Sequence, residues 1–233
     1  MSTIKICGFT DVGDVDQVGA ITAPTTGKPL VDIIGLNFVP SSPRCVDTKT
    51  AKLLAARAQQ LGMGVAAIVM NPEPDFVARV IEEVPLDFIQ LHGTEDPSVL
   101  PACGDLNLVK ALSWSGRTEE AELAMRWSRV SPPLQAFLVD AYAPSEGGGT
   151  GRTADWGALW PRPAELNNSP MWLAGGLRVE NVAAAIRSTR CAGVDTASGV
   201  ESSPGRKDPE LVRAFAQQSV AAFASLAESA GQP

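Results

Sequence analysis

Short apolar runs recur along the chain with amphipathic stretches between them. The first is Ile4-Lys5-Ile6-Cys7, and seven more follow at residues 31–38, 64–70, 86–91, 106–112, 136–140, 171–174 and 193–197. All are of strand length, and their β-branched and apolar content reads as strands buried on both faces. Between them the apolar period lengthens from runs to helical stripes. Residues 47–61 carry Leu53, Leu54, Arg57 and Leu61 at helical spacing, with Asp47 suited to cap the N-terminus and Gly62 to stand at C′. After Pro72 and Pro74, the residues Phe76, Val77, Val80, Ile81 and Val84 repeat such a stripe. Leu211, Phe215, Ala222 and Leu226 mark a long terminal helix.

Strands alternating with helices predict a parallel sheet, because each parallel pair needs a crossover connection. Eight such units predict a closed α/β barrel, the single (β/α)8 TIM barrel, in preference to an open doubly wound sheet. Some connecting helices are weakly marked. The stretch 11–20 contains Gly13 and Gly19, while 94–100 and 154–159 are short. Residues 22–29, with Pro24, Gly27 and Pro29, and residues 160–170, with three prolines and two asparagines, read as surface loops. No linker or compositional break divides the chain, so residues 1–233 are expected to form one domain.

Composition narrows the chemistry. Hydrophobic residues at 45% and charged residues at 19% are ordinary for a packed globular chain. A formal net charge of −7 argues against a broad nucleic-acid surface, so no nucleic-acid partner is expected and any anion must be held locally. No apolar run is long enough to span a bilayer and the N-terminus lacks a signal-peptide layout, which sets a cytoplasmic location without a membrane partner as the default. Cys7, Cys45, Cys103 and Cys191 are scattered without a paired motif, and with His92 as the sole histidine no multi-histidine metal centre is available. The oligomeric state is left open by the sequence.

In such a barrel the functional residues lie at the carboxyl ends of the strands and in the loops that follow. This rule places Cys7 at the end of the first strand, Asn37 and Arg44 at and after the second, Gln90 and His92 at the fourth, and Asp140 at the sixth. Glycines cluster at Gly147-Gly148-Gly149-Thr150-Gly151, at Ala174-Gly175-Gly176 and at Ser198-Gly199. Small residues let backbone N–H groups approach an anion, which makes a phosphate ester the natural ligand. Each glycine alone is equally accounted for by a tight turn. Neither a GxGxxG fingerprint nor a GxxxxGK[ST] loop is present, so a nucleotide cofactor is not indicated.

The stretch Lys5-Ile6-Cys7-Gly8-Phe9-Thr10 resembles the opening motif of the phosphoribosylanthranilate isomerase family of tryptophan biosynthesis. Phe38-Val39-Pro40-Ser41-Ser42-Pro43-Arg44 is similar to that family's second-strand loop, Gln90-Leu91-His92-Gly93 to its QLHG, and Gly148-Gly149-Thr150-Gly151 to its GGTG. The likeness continues through Leu173-Ala174-Gly175-Gly176-Leu177, Asn181-Val182, Gly193-Val194-Asp195, Ser198-Gly199-Val200-Glu201 and Gly205-Arg206-Lys207-Asp208. It runs in order from residue 4 to about residue 208. The loops at 22–29 and 160–170 depart from the pattern, as does Thr196-Ala197, where a more β-branched or polar pair is expected.

The resemblance implies an Amadori rearrangement of a small phosphosugar, N-(5-phosphoribosyl)anthranilate, without metal or cofactor. It implies Asp140 as general acid, with a carboxyl pKa raised by burial, and Cys7 as general base, which needs thiolate character. Side-chain alternation puts Lys5 on the face of Cys7, where its charge would depress the thiol pKa. Arg44 is a candidate for the anthranilate carboxylate, since guanidinium offers parallel donors to a planar anion. Gly149, Gly175, Gly176, Ser198 and Gly199 are the candidate phosphate holders. His92 either orients substrate or satisfies strand-end backbone groups, and Asp195 is expected to be an inward structural residue needing a partner. Two other readings compete. One is the related aminoaldose isomerase of histidine biosynthesis, which is expected to use paired aspartates and is disfavoured by Cys7. The other is a noncatalytic phosphosugar-binding barrel.

Overall fold

The computed structural model describes residues 2–140 and 156–230. Eight parallel strands close into a barrel in chain order: β1 (Thr3–Cys7), β2 (Ile33–Asn37), β3 (Gly64–Val69), β4 (Phe88–Leu91), β5 (Asn107–Ser113), β6 (Ala136–Asp140), β7 (Met171–Ala174) and β8 (Gly193–Thr196). The ring shuts where β1 pairs with β8, with Lys5 opposite Asp195. On the other edge of β1, Cys7 lies opposite Gly35 of β2. The eight predicted strands and the predicted closure are both found.

Strand alternation divides the apolar residues into two cores. Inward positions such as Ile33, Ala66, Ile68, Val109, Ala111 and Leu138 fill the barrel, and Cys7 packs against them. Near the strand starts, Phe88 and Trp172 meet edge to face with ring centroids 6.4 Å apart, which plugs the floor. Outward positions such as Ile4, Ile6, Leu36, Val65, Phe137 and Leu173 pack under the helices in the larger core.

The helices are α1 (Val12–Gly19), α2 (Thr48–Gln60), α3 (Pro74–Glu83), α4 (Thr118–Trp127), α5 (Val182–Thr189) and α6 (Pro209–Ala230). In α2 the Asp47 side chain accepts from Thr50 N–H at 2.7 Å, the cap its sequence predicts. α1 forms despite its two glycines because Asp11 caps it and Val15 and Val18 are fully buried. The weak stretch at 94–100 becomes a 3-10 segment, Pro97–Cys103, and the described part of 154–159 another, Trp156–Leu159. Two helices were not marked in the sequence, α4 and α5. α4 buries only Ala124 and Trp127 beneath an acidic first turn, so its apolar stripe is thin. The hairpin of β9 (Glu201–Ser203) and β10 (Arg206–Lys207) was likewise unmarked, being too short to carry a periodic signal.

Outside the barrel wall, Lys110 of β5 is fully buried and its ammonium meets Glu95 at 2.8 Å, with further bonds to the carbonyls of Leu91 and Gly93. The Glu95 carboxylate also accepts the N–H of Gly93 and of Asn71. Burial works to raise the Glu95 pKa, but the ammonium and these N–H groups outweigh it and hold it below its ordinary value. Removing one partner of such a pair strands the other in an apolar shell. Lys110→Ala is therefore expected to lower stability by about 3–5 kcal/mol, read from urea unfolding. A loss below about 1 kcal/mol would show that the carboxylate finds water or another cation.

Candidate active site

At the carboxyl ends of the strands lies a cavity of about 340 Å³, within the size range of small-molecule sites. Cys7 from β1, Asp140 from β6 and Asp195 from β8 line it, together with Asn37, Gln90 and His92. Two strand ends that are distant in sequence thus bring the thiol and the carboxyl to one mouth. Gly175, Gly176 and Ser198 complete its rim after β7 and β8. Gly175 and Gly176 have φ of +88° and +65°, a left-handed pair that only glycine adopts without strain. Gly199 is not part of the lining; it sits so close beneath the Leu177 carbonyl that a Cβ would collide with it. Gly149, with the whole run 147–151, lies outside the described residues.

The electrostatics beneath Cys7 depart from the expectation. Lys5 is fully buried in the barrel and pairs with Asp195 at 3.0 Å, which supplies the partner that an inward aspartate needs. Burial pushes the Cys7 thiol up; Lys5 pulls it down as foreseen, but Asp195 opposes, and the net pKa lies above the ordinary 9.0. The ammonium is shared with the carboxylate, which offsets part of its pull on the sulfur, and burial remains the larger cause of the rise. The balance at this position favours the thiol over the thiolate.

Arg44 does not line the cavity. Its stem crosses Gly8, and its Nε and Nη2 donate to Glu201 at 2.8 and 2.6 Å, a bidentate pair whose carboxylate is almost fully buried. Glu201 also receives Lys207 Nζ at 2.6 Å, and the same ammonium donates to the Cys7 carbonyl at 2.6 Å. Two of the guanidinium's five N–H donors are thus committed, and the Nη1 edge points to no Glu201 oxygen. Sequence reasoning did not single out Glu201 or Lys207 as site residues, although both stood in quoted motifs. Their signal was a buried-charge pattern that only the fold assembles.

His92 opens onto the cavity, and protein on its other sides reduces the hydration of the ring, lowering its pKa against the pull of Asp140. Its Nδ1 lies 2.9 Å from Gln90 Nε2. Asp140 stands at the last position of β6, and its carbonyl accepts from the Trp114 N–H. Thr196, which departs from the expected pattern, donates its hydroxyl to the Leu177 carbonyl at 2.7 Å and ties the end of β8 to the loop after β7. Among the described residues no group of three or more His, Cys, Asp or Glu side chains is placed to hold a metal ion.

Comparison with known proteins is decisive at this point. Residues 4–218 match the family model described as N-(5'-phosphoribosyl)anthranilate (PRA) isomerase. The chain belongs to the N-(5'-phosphoribosyl)anthranilate isomerase family. The isomerase of that name from Myxococcus xanthus is 41% identical over 214 residues, covering 91% of this chain and 93% of the relative. The one from Neisseria gonorrhoeae is 39% identical over 211 residues with the same coverage. Among solved structures, the phosphoribosyl anthranilate isomerase of Thermotoga maritima superposes with a TM-score of 0.79 at 28% identity, covering 95% of this chain and all of that one. A phosphoribosyl anthranilate isomerase in complex with reduced 1-(o-carboxyphenylamino)-1-deoxyribulose 5-phosphate superposes with a TM-score of 0.76 at 26% identity, with the same coverage.

Membership of the isomerase family makes the raised Cys7 thiol a measurable property. Cys45 is exposed and must first be replaced, whereas Cys103 and Cys191 are buried. In Cys45→Ser protein the rate of Cys7 alkylation by iodoacetamide is expected to climb with pH through and beyond 9.0. A plateau already reached below neutrality would mean that a thiolate exists in the resting site.

Proposed function

We propose that this single-domain chain is an aldose–ketose isomerase of tryptophan biosynthesis that converts N-(5'-phosphoribosyl)anthranilate by general acid–base catalysis, with Asp140 as the acid and Cys7 as the base. The observation that carries the reading is the presence of both groups, from β6 and β1, on one cavity of sugar-phosphate size. Asp140 delivers a proton to the furanose ring oxygen as the C1′–O bond breaks, leaving an iminium between C1′ and the anthranilate nitrogen. Cys7 takes the C2′ proton, and the electrons of that C–H bond form the C1′=C2′ bond of an enolamine. Transfer of the C2′ hydroxyl proton to C1′ then gives the ketose amine.

Cys7 acts in the fraction of molecules whose thiol has already lost its proton to solvent, and the positive iminium beside it favours that thiolate at the step that needs it. In this reading the turned backbone at Gly175-Gly176 and the rim at Ser198 receive the phosphate ester, with Gly199 in the same loop as Ser198 and Gly149 contributed from the segment that follows β6 in the sequence. Arg44 offers its remaining guanidinium edge to the anthranilate carboxylate, with Glu201 fixing the plane of the group. The small-molecule substrate and the four free thiols fit the reducing cytoplasm.

Turnover is measured by the fluorescence lost when freshly generated phosphoribosylanthranilate is consumed. Cys7→Ala and Asp140→Asn are each expected to lower kcat by roughly 10²- to 10⁴-fold with unchanged thermal melting. Arg44→Leu is expected to act chiefly on KM. Near-normal kcat in either of the first two variants removes that residue from its role. Binding without turnover by the folded wild type would favour the noncatalytic barrel.

A further inference from the structure

Gln90 is 1% exposed yet lines the cavity. Its Nε2 lies 2.9 Å from His92 Nδ1, and its Oε1 has no hydrogen-bond partner among the described residues. The lateral neighbours of Gln90 on the adjoining strands are Ile68 of β3 and Val109 of β5, both apolar and unable to donate. A buried carbonyl oxygen left in such surroundings costs free energy until a donor reaches it. Among the described residues no side chain or backbone group donates to it, and the face of Gln90 open to a further donor is the cavity side.

We propose that Gln90 is a substrate-recognition residue, whose Oε1 accepts a hydrogen bond from a ribose hydroxyl while its Nε2 donates to His92 Nδ1 and fixes that ring as the neutral tautomer with Nε2–H. The inference rests on the reading of the cavity as a phosphosugar site. There, the part of the substrate lying between Cys7 and Asp140 is the sugar, and its hydroxyls are the donors nearest the strand ends. One amide thereby presents an acceptor directly and, through His92, a donor. That combination suits a hydroxyl-bearing ring, and it disfavours analogues lacking the hydroxyl because Oε1 would stay unpaired.

His92 is the sole histidine, so imidazole ¹⁵N shifts report it without overlap. Near neutral pH the wild type is expected to show an unprotonated Nδ1 and a protonated Nε2. Gln90→Leu should lose this preference, and Gln90→Glu should protonate Nδ1. In calorimetry with reduced 1-(o-carboxyphenylamino)-1-deoxyribulose 5-phosphate, Gln90→Leu is expected to bind roughly tenfold more weakly or worse, and Gln90→Glu, which keeps an acceptor, to lose less. Should Gln90→Leu fail to fold by circular dichroism, Gln90→Met takes its place. Binding by the apolar variant within about twofold of the wild type, as expected if Oε1 is met only by exchangeable water, overturns the proposal. So does an unchanged imidazole pattern. Either result with a wild type that binds and turns over leaves the isomerase reading standing. A wild type that neither binds nor turns over removes both.

Discussion

The seam at which β1 meets β8 is the constraint on which the site depends. Eight strands close only if the last pairs with the first, and here that pairing sets Lys5 opposite Asp195 inside the barrel. A slip of one residue would turn Lys5 and Cys7 outward and send Ile4 and Ile6 into the interior. It would also strand a lysine ammonium among the helices' apolar faces. A buried ion pair is weak evidence for net stability, but separating its members is costly, and that penalty selects the register. The register in turn brings the Cys7 side chain to the mouth.

Two further ionic knots, both tied to strand ends, hold the loops around that mouth. Lys110 and Glu95 anchor the backbone of Gly93 and Asn71 beside His92. Glu201 gathers Arg44 and Lys207, and Lys207 fastens the carbonyl of Cys7. In each knot the carboxylate receives several donors, which keeps it charged despite burial. The cavity walls are thus fixed by interactions lying outside the cavity itself. Such fixation keeps reacting groups within the narrow tolerance that proton transfer demands.

The strands were legible because parallel strands of a barrel are buried on both faces and appear as uninterrupted apolar runs. Capping made α2 legible too, through Asp47 and Gly62. What escaped was whatever depends on partners distant in sequence. α4 has its stripe reduced to Ala124 and Trp127, and the β9–β10 hairpin gains its meaning only when Glu201 reaches Arg44, 157 positions away. Cys7 and Asp140 could be placed at strand ends by position alone. The direction of the Cys7 pKa could not, because Lys5 was visible as a neighbour along the strand, whereas the burial of the thiol and the opposing charge of Asp195, 190 positions from Lys5, come only with the fold. Gly199 illustrates the same gap: its glycine serves a close approach to Leu177, a contact that neither residue announces.

A thiol whose pKa is raised by burial first looks ill suited to a base, yet the fold gives reason to prefer it. Oxidation and alkylation of cysteine follow thiolate character and access, and Cys7 faces an open cavity. A permanent thiolate there would be exposed to both. In the proposed mechanism burial, with Lys5 shared by Asp195, keeps the resting thiolate fraction small, and the same cation that acidifies the C2′ hydrogen also favours the thiolate that removes it. On that reading the intermediate favours the form of the base that acts upon it. The barrel supplies the position and a partly cancelled field, and the substrate supplies the remainder.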